Sequence, residues 1–153
     1  MADRDQEEQE RLNRQLIELL NELRVALPGV QVLFAFLLAV PFQNRFGQAS
    51  QFERDVYLVT LLASAAATAF LIAPTAYHRI LFQHGDRPRV IREGTRLLLA
   101  GLVALAVATT GAVFLAAHFI FSSAVAIAAG AAVAGMLGWL WFGLALVRRA
   151  RES

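Results

Sequence analysis

The stretch that decides the fold is ELRVALPGVQVLFAFLLAVPF, residues 22–42. It begins with charged residues and continues as an apolar run interrupted by Pro28, Gly29, Gln31 and Pro41. A helix of about 20 apolar residues is long enough to cross the roughly 30 Å of hydrocarbon in a bilayer. The stretch is therefore predicted to enter and cross a membrane.

Three further apolar runs follow, so the chain is predicted to cross the membrane four times. It has 153 residues, of which 58% are hydrophobic and 17% charged, a composition that excludes an ordinary soluble domain. The four runs cover residues 25–42, 56–77, 97–117 and 124–147. The predicted fold class is all-α, with residues 25–147 forming a bundle of four transmembrane helices.

The N-terminal segment, residues 1–24, is predicted to be an amphipathic helix, because leucines recur at helical spacing among charged and amide side chains. This helix could lie along the cytoplasmic membrane surface, or it could pack against another subunit as a short coiled coil. Residues 148–153 form a basic tail.

The distribution of basic residues predicts the orientation. Most arginines lie before the first run, between the second and third runs, or after the fourth, so the positive-inside rule places both termini in the cytoplasm. All 14 basic residues are arginine, which together with abundant alanine is typical of high-GC bacterial genomes. The expected location is the bacterial cytoplasmic (inner) membrane.

Four positions are predicted to act as hinges, because proline removes a helical hydrogen bond and glycine tolerates unusual backbone angles. Pro28 and Gly29 mark where the first helix kinks or restarts, and Pro41 and Pro74 lie near the ends of the first and second runs.

Gln31 is the candidate functional residue, because an unpaired amide inside a membrane is unfavourable and should face protein or a pore. It could hydrogen-bond a Thr or Ser on a neighbouring helix, or carbonyls freed by the proline. Alternatively, several copies could form a polar constriction around a symmetry axis. Secondary candidates for a polar lining are Thr60, Ser64, Thr68, Thr109 and Thr110.

Small residues are predicted to hold the helices together, since close backbone approach drives helix association in lipid. In the fourth run, Gly130, Ala134 and Gly138 recur every four residues. One copy has few polar residues with which to line a cavity, so we expect a homo-oligomer.

The cytoplasmic rim is predicted to be basic. Its residues could simply set the topology and contact anionic lipids, or they could form a docking surface for an acidic partner. These residues are His78, Arg79, Arg87, Arg89, Arg92 and Arg96.

Several classes of function are disfavoured. The apolar cores contain no ionisable residue of the kind used in proton-coupled transport. His78 and His118 are expected at opposite membrane faces, so they cannot together bind one haem. No cysteine, phosphate-binding loop or catalytic motif is present. We expect no enzyme activity, no cofactor, no metal and no nucleic-acid partner.

Two phrases, ELRVALPGVQVLFAFLLAVPF and APTAYHRILF, together with four spans and a short arginine-rich inner loop, resemble a family of small actinobacterial integral membrane proteins known as a domain of unknown function. The resemblance covers residues 18–147 and implies the fold and a bacterial membrane location. It implies no activity, cofactor or catalytic residue.

The leading prediction for function is a homo-oligomeric channel or pore for ions or small solutes, with Gln31 as its polar element. The alternative is a non-catalytic membrane scaffold or accessory subunit that binds lipids or a partner through the amphipathic helix and the basic loop. A small-molecule or lipid carrier is a third possibility.

Overall fold

The computed structural model describes residues 2–81 and 87–143, and this part of the chain is helical without strands. Helix α1 is Ala2–Ala39, α2 is Gln51–Leu81, α3 is Arg87–Ile120 and α4 is Ser123–Gly138. Two 3₁₀ turns, Val40–Phe42 and Asn44–Gln48, connect α1 to α2, and a π-helical segment, Trp139–Gly143, continues α4.

The prediction of four apolar helices is confirmed. Segments long and apolar enough to cross a membrane are Arg24–Phe42, Gln51–Ala76, Glu93–Ile120 and Ser123–Trp141. They agree with the four predicted runs, although residues 144–147 of the fourth run lie outside the described residues, as do residues 148–153. Four such helices indicate a multi-pass membrane protein.

Of the kink or restart predicted at Pro28 and Gly29, the restart is not observed, because α1 is one helix of 38 residues with Pro28 inside it. A proline in a helix removes a single hydrogen bond, and the bonds on either side can hold the helix together. At 1.5 Å per residue α1 is about 57 Å long, nearly twice the thickness of the hydrocarbon. The N-terminal segment is therefore a continuation of the first span and not a separate helix.

The other two hinge prolines have different outcomes. Pro41 lies in the 3₁₀ turn that follows α1, so it marks the end of that helix. Pro74 is buried within α2, which continues to Leu81. The chain therefore changes direction at Pro41, whereas α2 is unbroken at Pro74.

The buried residues of α2 and α3 follow a seven-residue repeat. In α2 they recur with alternating steps of three and four, at Tyr57, Thr60, Ser64, Ala67, Leu71 and Pro74. In α3 every seventh residue is buried, at Gly94, Gly101, Ala108 and Leu115. A seven-residue repeat keeps one stripe of a helix against its neighbours, as in left-handed coiled coils. Most of the α3 residues are small, which allows α2 to approach closely.

The core joins three helices. Near the middle of the spans, Val30 of α1 packs with Ala67 and Leu71 of α2. Towards the start of α2, Leu37, Tyr57 and Leu115 form a second cluster that again includes α1, α2 and α3. In the described residues α4 contributes to neither cluster.

Helix α4 lies to one side of this core. It contacts α3, whereas the described residues include no set of contacts between α4 and α1 or α2. The predicted number of helices is therefore correct. Within the described residues α1, α2 and α3 form a compact group, and α4 contacts α3. This arrangement leaves a gap between α2 and α4.

Candidate functional site

Gln31 lies on the exposed side of α1, close to the middle of the first span. The residue beside it, Val30, is completely buried against α2, which turns Gln31 away from the core. Gln31 makes no hydrogen bond to the residues that the structure describes, so neither the predicted Thr or Ser partner nor a freed carbonyl is bonded to it within one chain. Its amide is left facing the surroundings of the molecule.

The surface around Gln31 is open and mostly apolar. Pro28, Gly29, Val32 and Phe36 are also exposed on α1. A methyl group added at Gly29 would have no atom within 4 Å. An apolar surface at membrane depth with one amide near its centre is compatible with a second protein surface placed against it.

The predicted polar residues of α2, Thr60, Ser64 and Thr68, form a polar ridge that is buried or half-buried against the neighbouring helices. Thr60 and Ser64 are almost completely buried. The Thr60 hydroxyl donates to the carbonyl of Val56 at 2.7 Å, and the Thr68 hydroxyl donates to that of Ser64 at 3.0 Å. The Ser64 hydroxyl is buried without a partner among the described residues. Thr109 and Thr110 are half-buried on α3. The structure does not bring this ridge together with Gln31.

The gap between α2 and α4 is a groove of about 810 Å³, which we call the α2–α4 groove. Val107, Thr110 and Phe114 of α3 line it, and small residues of α4 form one wall, namely Gly130, Ala131, Ala134 and Gly138. Because these residues of α4 have little or no side chain, they cannot reach across to α2. On α4 the groove runs from Ile127 to Gly138, which is about 17 Å at 1.5 Å per residue.

The predicted packing stripe on α4 is thus divided between two environments. Gly130 is buried, and a methyl group added there would lie 3.6 Å from Phe114, so this position does mediate the contact with α3. Ala134 and Gly138 are exposed and line the groove.

A polar and aromatic cluster lies where α2 begins and α3 ends. Asp55 lines the groove there, with Phe52 and Phe114, whose ring centroids are 6.1 Å apart in an edge-to-face arrangement. The Asp55 carboxylate accepts a hydrogen bond from the Gln51 amide at 2.8 Å and has no cationic partner among the described residues.

Next to this cluster, Glu53 and His118 form a pair that the sequence analysis missed. Glu53 Oε1 is 3.7 Å from His118 Nε2, and the His118 ring stacks on Phe114 at 5.6 Å. The predicted topology contained a signal for this pair. It places the start of α2 and the end of α3 at the same membrane face, which brings Glu53 and His118 to the same end of the bundle. His78 is near the opposite end of α2, 25 residues after Glu53, or about 38 Å along the helix.

The side chains of the predicted basic rim are for the most part not described. The structure places Arg79 at the end of α2, and Arg87, Arg89 and Arg92 at the start of α3, but their side chains and that of His78 are not among those described. Arg96 is described, and it forms an exposed salt bridge of 3.1 Å with Glu93 of the preceding turn. Within the described residues no group of three or more metal-ligating side chains is found.

Comparison with known proteins places the chain in a family without assigning it an activity. No curated protein and no solved structure matches it. A family of unknown function, DUF6328, matches over residues 5–145, which includes nearly all of the four helices. The chain therefore belongs to DUF6328, a family of unknown function.

Proposed function

We propose that the protein forms a homo-oligomeric channel for ions or small solutes, with α1 facing a common axis and Gln31 supplying its polar constriction. The observation that carries this proposal is the position of Gln31, which is exposed near the middle of a membrane span without a partner in its own chain. Contact with lipid would leave its amide unsatisfied, at a cost of about 1–3 kcal/mol. Several copies of α1 around an axis would give each amide a polar neighbour or water.

The same geometry argues against a path through one copy. The core between α1, α2 and α3 is closed by apolar side chains, and the hydroxyls within it are bonded to their own helix or enclosed. The α2–α4 groove has an almost entirely apolar lining. This supports a conduction path shared between copies, because the exposed side of α1 carries a polar group near the middle of its span.

We expect the protein in the cytoplasmic membrane of a bacterium, with both termini in the cytoplasm. The resemblance to actinobacterial membrane proteins leads us to expect an actinobacterial host. The arginine distribution supports this orientation. The activity requires no catalytic group, and the partners that we expect are the bilayer, anionic lipids at the inner rim and further copies of the same chain.

The test is ion flux into liposomes that contain the purified full-length protein, for the wild type, Gln31→Leu and Gln31→Asn, with the mass of each assembly measured in the same preparation. We expect Gln31→Leu to change the flux at unchanged mass, and Gln31→Asn, which retains an amide, to change it less. Val32→Leu is the matched control, because Val32 is the exposed neighbour of Gln31 and the change introduces no polarity difference. Absence of wild-type flux over a range of voltage, pH and osmotic stress would overturn the proposal.

A membrane scaffold or accessory subunit is the second candidate, and the continuity of α1 favours it. The helix carries more than 20 residues beyond its membrane span, enough for a contact with a partner protein. In this case Gln31→Leu would reduce the stability of the assembly, and reversing the charges of Arg87, Arg89 and Arg92 would abolish binding of the partner or of anionic lipid.

A further inference from the structure

We expect another molecule to occupy the α2–α4 groove, because proteins and their surroundings pack closely and the groove opens along the membrane-spanning part of the molecule with a volume of about 810 Å³. Its volume falls within the usual range of about 300–1,000 Å³ for sites that bind small molecules. Its walls are apolar along α3 and α4, and small residues on α4 keep it open. The interior therefore fits an apolar chain or ring system.

The end of the groove next to the α2 N-terminus has a different character. Among the described residues Asp55 is the charged side chain that lines the groove, and it is exposed there. The neighbouring Arg54 forms no ion pair with it, since the Arg54 guanidinium donates to the carbonyl of Gly47 at 3.4 Å. The rings of Phe52 and Phe114 lie at the same end. A carboxylate beside aromatic rings attracts an organic cation, through charge and through the electron-rich ring faces.

We propose that the α2–α4 groove binds a single-chain amphiphile with a cationic head, such as an alkylammonium compound, with the head at Asp55 and the chain between α3 and α4. An ordinary phospholipid is a poorer match. Its phosphate would lie beside the Asp55 carboxylate, and no basic residue among the described ones lines the groove to balance it. A head with one positive charge and no anion matches the charge of the site.

This binding site is independent of the proposed channel, because Gln31 is on α1 and α1 contributes nothing to the groove among the described residues. Loss of flux in Gln31→Leu would leave amphiphile binding unchanged. Conversely, closing the groove would leave the exposed surface of α1 as it is.

The test uses the full-length protein in nanodiscs made of a zwitterionic phosphatidylcholine. The probe is hexadecyltrimethylammonium with a photoreactive diazirine near the end of its chain, and the labelled residues are identified by mass spectrometry. Unlabelled hexadecyltrimethylammonium and hexadecyl sulfate compete with the probe, so that the charge of the head is varied at constant chain length. We expect saturable labelling of α3 and α4 within the groove, which the cation displaces and the sulfate does not.

Two variants examine the two ends of the site. Asp55→Asn keeps the shape of the side chain and one oxygen that can accept from the Gln51 amide, but removes the charge, and should weaken binding about fivefold. Ala134→Phe fills the groove and should abolish saturable labelling. Ala132→Phe is the matched control, since Ala132 is exposed on α4 but does not line the groove, and it should label like the wild type.

Three results would overturn the proposal. The first is labelling spread over the exposed residues of all helices and unaffected by Ala134→Phe. The second is equal competition by the sulfate, or unchanged affinity in Asp55→Asn, which would make the groove an unselective site for acyl chains. The third is occupation by another copy of the chain: because the chain has no cysteine, a single Ala134→Cys variant would then give a disulfide-linked or bifunctionally cross-linked dimer in the membrane.

Discussion

The hydroxyl of Tyr57 donates a hydrogen bond of 2.9 Å to the backbone carbonyl of Leu37. In a regular helix this carbonyl would accept from the N–H of residue 41, but that residue is Pro41, which has none. Tyr57 on α2 thus bonds the carbonyl for which the proline offers no donor. The bond is buried and joins the end of α1 to α2, where Phe46 also packs against the tyrosine ring at 5.0 Å.

Tyr57→Phe should therefore destabilise the protein while leaving the ring contacts intact. The carbonyl of Leu37 would be buried without a partner, at a cost of about 1–3 kcal/mol in the free energy of unfolding. The measurement is unfolding of the purified protein by SDS in mixed micelles, followed by circular dichroism.

Pro41→Ala provides the control for that interpretation. It restores an N–H at position 41 that can compete for the Leu37 carbonyl, so Tyr57→Phe should cost clearly less in the Pro41→Ala background. Equal costs in both backgrounds would show that the tyrosine hydroxyl acts independently of the proline.

Gly111 of α3 lies closely against Thr60 of α2. A methyl group added to Gly111 would overlap Thr60 Oγ1 and lie 3.1 Å from Thr60 Cβ. Since Thr60 is held by its bond to the Val56 carbonyl and is 1% exposed, it has little room to move. Gly111→Ala should reduce the free energy of unfolding by about 1–3 kcal/mol, as overpacking does in other cores.

The same unfolding titration distinguishes this steric effect from a general cost of changing glycine. Gly135→Ala is the matched control, because no atom lies within 4 Å of the added methyl group, and it should be neutral or stabilising. Adding Thr60→Ala to Gly111→Ala should recover most of the loss. A double variant as unstable as Gly111→Ala alone would contradict the proposed clash.

The number and approximate limits of the membrane helices were predictable, because the length of an apolar run is a local property. The same is true of the start of α2, because Ser50 followed three residues later by Glu53 is the sequence pattern of a capping box. Continuity at Pro28 was not predictable in this way, since a lone proline can break, bend or be accommodated in a helix. The outcome depends on the packing of the neighbouring residues, and here Val30 and Ala26 hold α1 against the core.

The arrangement of α4 was harder still to predict. Both α3 and α4 have small residues at four-residue spacing, which indicates close packing but does not specify the partner. Gly130 packs on Phe114, whereas Ala134 and Gly138 face the groove. Which side of a nearly uniform apolar helix turns inward depends on the shapes of its neighbours, and such shapes leave little trace in a hydropathy pattern.

Ser64 offers a test of whether the polar ridge of α2 matters for stability. Its hydroxyl is fully buried and has no hydrogen-bond partner among the described residues. Removing an unsatisfied buried hydroxyl relieves its desolvation cost, so Ser64→Ala should leave the free energy of unfolding unchanged or raise it by about 1 kcal/mol. A loss of similar size would instead show that the hydroxyl stabilises the protein through a hydrogen bond inside the core.

Helices α2 and α4 begin at the same face of the protein but differ in how their N-termini are capped. At α2 the Ser50 N–H donates to Glu53 Oε2 at 2.6 Å, and the Glu53 N–H donates to Ser50 Oγ at 3.3 Å, which is a complete capping box. At α4 the N-cap residue is Ser122, whose side chain makes no capping bond. The same substitution at the two serines therefore removes a cap in one case and none in the other.

Ser50→Ala should lower the free energy of unfolding by about 1 kcal/mol, whereas Ser122→Ala should change it by a few tenths at most. The cap also orients Glu53 towards His118, so Ser50→Ala should loosen that contact as well, and the His118 ring resonances in NMR spectra would shift in this variant but not in Ser122→Ala. Equal destabilisation by the two substitutions would mean that the hydroxyls stabilise the helix starts through solvent or lipid headgroups, with no special contribution from the capping box.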